Sequence, residues 1–138
     1  MISNKSLGTV AAGLWIASLF LPAVSACETG NGMEYGWESL VLGWINITSG
    51  NLVWLANIPL LIGIAHCLRG RSPSFIMSMI MLAFAATGFV PYPIFMGDAF
   101  PPMVCHYKMG FWLWELSCVT MAVAAVRSKF YPPVSEPE

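Results

Sequence analysis

Four stretches of this chain are apolar for 17 to 20 residues at a time, and that block pattern constrains the fold more than any other feature. They run over about 7–26 (LGTVAAGLWIASLFLPAVSA), 51–68 (NLVWLANIPLLIGIAHCL), 74–90 (SFIMSMIMLAFAATGFV) and 110–126 (GFWLWELSCVTMAVAAV). A helix needs about 20 predominantly apolar residues to cross a bilayer, because hydrocarbon offers no partner to an unpaired backbone group. Composition agrees: 57% of the residues are hydrophobic and 9% charged, against roughly 25% charged in a soluble domain. A length of 138 residues suits one domain. The net charge of −1 and the scatter of six Lys and Arg residues exclude a phosphate-binding stripe, so nucleic acid is not expected as a partner.

The cations set the orientation. Lys5 precedes the first block, Arg69 and Arg71 fill the link between the second and third, and Arg127 and Lys129 follow the fourth. These places are cytoplasmic by the positive-inside rule. The two other connections carry Glu28, Glu34, Glu38 and Asp98 against Lys108, which puts them outside. The expected fold is therefore all-α: a single polytopic membrane domain over 1–138 with four transmembrane helices and both termini in the cytoplasm. Its expected place is the bacterial inner membrane, as a multi-pass protein surrounded by lipid.

Near the end of the first block, Val24-Ser25-Ala26 before Cys27 has the small-residue pattern of a signal-peptide cleavage site. We read the segment as a helix that stays. Cys27 then falls in one outer connection and Cys105 in the other, where an oxidising compartment permits a disulfide between them. Cys67 and Cys118 lie in or beside the bilayer. No C-x-x-C occurs, so thiol exchange chemistry is a remote alternative.

The first outer connection is not ordinary loop sequence. Trp37, Leu40, Val41 and Trp44 recur at helical spacing in GWESLVLGWINITSG, which describes a short amphipathic helix at the membrane surface. With Trp54, Trp112 and Trp114 they make an aromatic belt at the outer level. Trp37, Glu38, Trp44 and Asp98 are the candidates for binding a partner on that side.

Polar residues inside the blocks are costly to insert and therefore informative. Glu115 in the fourth and Asn57 in the second lie at comparable depths, so a hydrogen bond between them is expected if the two helices touch. Pro59 should kink the second helix near Asn57. His66 stands one turn from Arg69 and reads as interfacial. Pro91 and Pro93 should end the third helix, Ala83, Ala85, Ala86 and Gly88 allow close packing there, and Met77, Met79 and Met81 fill space. No phosphate-binding glycine loop, H-E-x-x-H or paired metal ligands are present in the sequence, so neither enzyme activity nor a metal or other cofactor is expected.

The run from Gly36 to Pro59, GWESLVLGWINITSGNLVWLANIP, resembles a pattern in small uncharacterised bacterial inner-membrane proteins. Those carry a GW-x-x-L-x-x-GW segment, then a W-L-A-N-x-P helix, and end in an aromatic-led span like GFWLW here. The resemblance implies a fold and no activity. The expected function is binding: an accessory subunit or a toxin-immunity protein acting on a protein partner, or a homo-oligomer. The alternative is a small ligand or ion carrier using Glu115 and Asn57.

Overall fold

A computed structural model of the chain describes residues 3–26, 33–49, 51–90 and 103–131. The protein is mostly helical. Its elements run α1 (Asn4–Leu19), β1 (Pro22–Ala26), β2 (Met33–Tyr35), α2 (Gly36–Leu42), α3 (Asn57–Leu68), α4 (Phe75–Ala86), β3 (Val104–Tyr107) and α5 (Met109–Phe130), with 3-10 stretches at Gly43–Ser49, Val53–Ala56 and Thr87–Phe89.

Helices α1, α3, α4 and α5 pack as a bundle in which α1 touches α3 and α5, and α4 closes the ring between them. Small side chains bring the backbones close: Ala11, Ala56, Ala85, Ala122 and Ala124 are buried with Leu60, Ile64, Met81 and Met121. Ser117 is fully buried there and donates to the Ala11 carbonyl at 2.9 Å. The outward faces are apolar instead, with Leu61, Ile62, Ile76, Ile80, Leu116, Val119 and Val123 exposed.

One end of the bundle gathers the cations. Asn4 donates to Ser72 and Ser128, each at 3.3 Å, which joins the start of α1, the link after α3 and the last turn of α5. Lys129 sits 4.0 Å above the Phe75 ring. The other end carries a cap of sheet and surface helix. β1 is the central strand, antiparallel to β2 on one side and β3 on the other. Val24 stands opposite Glu34 and Tyr107, Ala26 opposite Val104, and each ladder contains a register shift.

Several boundaries differ from the sequence expectation. The first block does not run as a helix to residue 26: α1 stops at Leu19 and the remainder becomes β1. Pro22 lacks a backbone donor and disfavours helical geometry in Leu21. Beyond it, Val24 gains ladder partners on both sides. The all-α reading therefore needs a three-stranded sheet added to it. In the second block Pro59 causes no mid-helix break, since it lies in the first turn of α3, where a missing N–H is harmless. The change of geometry comes just before it, where the 3-10 turn Val53–Ala56 becomes α-helix at Asn57. In the third block Ser74 caps α4 by accepting from Met77 N, the α-helix gives way to a 3-10 turn at Thr87, and Val90 is extended before the proline. The fourth begins one residue early and continues to Phe130, with Arg127 and Lys129 in its last turn, where cations complement the helix dipole.

By length and composition α5 is the one helix among the described residues that can cross a membrane unaided, while Val53–Leu68 and Phe75–Phe89 are shorter apolar helices.

Candidate functional site

Asn57 is the polar hub where the bundle meets its cap. Its side-chain oxygen accepts from the indole of Trp15 on α1 at 3.2 Å and from that of Trp114 on α5 at 3.0 Å. Its amide nitrogen donates to the Trp54 carbonyl at 3.1 Å. One side chain at the start of α3 thus cross-links three helices. An indole N–H is a donor with no acceptor capacity, so two of them converging need one oxygen with two lone pairs.

The expected bond from Asn57 to Glu115 does not form: the Asn57 oxygen accepts from the two indoles, and its amide nitrogen, the group that could donate to a carboxylate, turns to the Trp54 carbonyl. Glu115 is half-buried, and its Oε1 is buried with no hydrogen-bond partner among the described residues. His66 is half-buried in the last turn of α3, on the end that carries the cations and away from Asn57.

Above Asn57 lies a partly open cavity of about 70 Å³ between α1, β1, β2, α2 and α5. Trp15, Trp54, Trp114 and Phe111 wall it, and Ser18, Glu34 and Ser39 give it polar atoms. Two glycines bring its walls together. A Cβ on Gly36 would collide with the Ser18 carbonyl, and one on Gly110 would lie 2.6 Å from the Leu21 carbonyl. Both α2 and α5 therefore start hard against the end of α1. The Trp54 indole ties the far wall by donating to the Leu40 carbonyl at 2.7 Å.

Glu34 is the ionisable group of this cavity. It is half-buried on β2 and accepts a hydrogen bond from the Ser39 hydroxyl. Burial pushes its carboxyl above the ordinary value; the Ser39 hydrogen bond opposes that shift and the like charge of Glu38 adds to it. Glu38 is held differently, with its carboxylate accepting from Tyr35 N at 2.7 Å as a cap on α2. Tyr107 closes the neighbouring wall by donating to the Gly88 carbonyl at 2.8 Å within a ring cluster that includes Phe89 and Phe111. Burial raises its phenol as well.

A short helix forms over Gly36–Leu42 and passes into the 3-10 stretch that carries Trp44, and apolar side chains face out along both: Trp37 is 53% exposed, Val41 57% and Trp44 55%. The aromatic belt is divided. Trp37, Trp44 and Trp112 are exposed, whereas Trp54 and Trp114 turn inward to the hydrogen bonds above. Asp98 and Cys27 lie outside the described residues. Cys105 stands in β3 next to Val104, the partner of Ala26, while Cys67 and Cys118 are buried free thiols in the bundle. Among the described residues no group of three or more His, Cys, Asp or Glu side chains is placed to hold a metal ion.

Trp15, Ser39 and the cavity role of Glu34 do not stand out in the sequence. Trp15 sits in the middle of an apolar block, where every residue is compatible with lipid and no neighbour marks which way its indole points. The strand that completes the cavity is hidden in the same block. The chain matches no family model, no curated protein and no solved structure.

Proposed function

We propose that this chain is a non-enzymatic, four-span protein of the bacterial inner membrane that works by binding a protein partner through its outer cap. The observation that carries this reading is the apolar outer surface of the bundle. Isoleucine, leucine and valine cover the outside of the bundle while Ser78 and Ser117 are buried within it, an arrangement that suits lipid and not water. Lys5, Arg69, Arg71, Arg127 and Lys129 gather at one end, while the other carries Glu34 and Glu38 with Lys108, a bias that supports both termini inside.

α5 alone among the described helices has the full length for that layout, and α1, α3 and α4 are shorter. With a rise of ~1.5 Å per residue, α5 is about 33 Å long over 22 residues and α1 about 24 Å over 16, against a hydrocarbon core of about 30 Å. Local thinning of the bilayer accommodates the shorter spans. Between α4 and α5 an apolar groove lined by Leu82, Val119, Val123 and Val126 ends at Arg127 and Tyr131, which suits a lipid chain whose headgroup lies at the inner surface.

On the outer side, exposed Trp37, Val41, Leu42 and Trp44 offer an apolar face for a partner helix, of an accessory-subunit or toxin-immunity type, or for a second copy. A Cys27–Cys105 disulfide would hold the cap together. It is supported by the β1–β3 register and by the location of the two free thiols elsewhere. The carrier reading, which uses Glu115 and Asn57, is second and is motivated by the unpartnered Glu115 oxygen.

Crosslinking in membranes followed by affinity purification tests the main reading. A discrete partner or dimer, lost in the Trp37→Ser/Trp44→Ser variant, is the expected result. Recovery of a lone monomer under all crosslinking conditions contradicts it.

A further inference from the structure

We propose that the cap cavity binds a small primary ammonium group, with the cation set against the Glu34 carboxylate and a short carbon stem against the indoles around it. This site is independent of any protein partner on the exposed face of α2. What selects its ligand is the set of hydrogen-bonding atoms the cavity has left to offer.

The donors lining it are already engaged. Ser18 donates to the Trp15 carbonyl at 2.6 Å, Ser39 donates to Glu34, and the indoles of Trp15, Trp54 and Trp114 give their N–H groups to Asn57 or Leu40. Among the described residues, apart from one hydrogen of the Asn57 amide, what remains is acceptor capacity: the second carboxylate oxygen and the hydroxyl lone pairs. A primary ammonium has three donors and no acceptor, so it complements that set. An anion or a carbonyl does not.

Charge points the same way. Among the described residues no cation offsets Glu34, and the charge acting on it is the like charge of Glu38. A bound cation would let the carboxylate ionise in place, through charge-assisted hydrogen bonds, while the tryptophan walls add cation–π attraction. A metal ion is the poorer candidate, since the described residues place no cluster of three ligating side chains. Size suits a small ligand: the cavity of about 70 Å³ is several times the ~10–15 Å³ that one water needs, room for an ethylammonium-sized group. Such a group reaches the cavity either as a free amine or at the tip of an aminoethyl lipid headgroup.

The full-length protein in detergent, titrated with ethylammonium and followed by tryptophan emission, provides the test. Saturable binding is expected, with ethanol, its neutral counterpart of the same size, giving no response. Glu34→Gln should weaken binding by roughly tenfold or more, as loss of a hydrogen bond to a charged group does, and Arg71→Gln at the far end should leave it unchanged. Ala23→Leu, which fills the cavity and keeps the carboxylate, should abolish it and serves as the decisive variant if Glu34→Gln fails to fold. An equal response to ethanol overturns the proposal, as does undiminished binding in a folded Glu34→Gln or Ala23→Leu protein. Nanodiscs distinguish the two sources. Weaker apparent ethylammonium affinity in phosphatidylethanolamine than in phosphatidylcholine, which is equally zwitterionic but has no primary ammonium, assigns the site to the headgroup, and equal affinity assigns it to a free amine.

Discussion

Replacing Asn57 by leucine is the most direct test of how the bundle is joined to its cap. Leucine keeps nearly the same shape but offers no acceptor, so the Trp15 and Trp114 indoles, now bonded at 3.2 and 3.0 Å, lose their partner together. An unsatisfied buried donor costs about 1–3 kcal/mol. The site is half-buried and water reaches part of it, so two orphaned donors amount to about 2–4 kcal/mol, near the lower half of the summed range. For a chain of this size that lowers Tm by roughly 5–15 °C. The assay is thermal unfolding in detergent, followed by tryptophan emission and by circular dichroism. The informative comparison is the triple variant Asn57→Leu/Trp15→Phe/Trp114→Phe. Removing both donors with the acceptor leaves nothing unsatisfied, so it should be more stable than the sum of the separate changes predicts, by about 1 kcal/mol or more of coupling. Strict additivity, or an Asn57→Leu protein as stable as the parent, would refute the hub.

Two further outcomes follow from the cap. Gly36→Ala places a methyl group against the Ser18 carbonyl; it should destabilise by about 1–3 kcal/mol, as overpacking does, whereas Gly13→Ala, with open space around it, should be neutral or slightly stabilising in an unfolding series. Glu34 makes stability fall with rising pH: its carboxyl is raised in the fold by burial from an ordinary value near 4.5, so the folded state holds the proton more tightly. The penalty is absent below the ordinary value, grows as pH rises from there through the raised one, and is constant above it. Subtracting a Glu34→Gln pH series should isolate this decline, and parallel curves would show that Glu34 is not desolvated.

Much of the helical layout was legible because each apolar block is long and its ends carry local signals. Ser74 and the Val90-Pro91 step marked the third helix to within a residue, and the spacing of Trp37, Val41 and Trp44 marked the surface helix. The strand β1 was not legible. PAVSA is as apolar as the helix before it, and its conformation depends on partners at Met33–Tyr35 and Val104–Tyr107, which no local pattern announces. The site was hidden for the same reason. Depth along the helices drew attention to Asn57, but helix depth says nothing about azimuth, and azimuth gave Asn57 to Trp15 and Trp114 instead of Glu115. Glu34 read as one acidic loop residue among several until the sheet folded it over the end of α1.

The central claim is that the bundle crosses a membrane with its cap outside and its cationic end inside. Single introduced cysteines at Val41 and Ser72, both exposed and at opposite ends of the molecule, test it by labelling with a membrane-impermeant maleimide. In cells with a permeabilised outer envelope and an intact inner membrane, Val41→Cys should label at once and Ser72→Cys only after the inner membrane is opened. Labelling of both from the same side, or recovery of the chain in the soluble fraction, would contradict that topology.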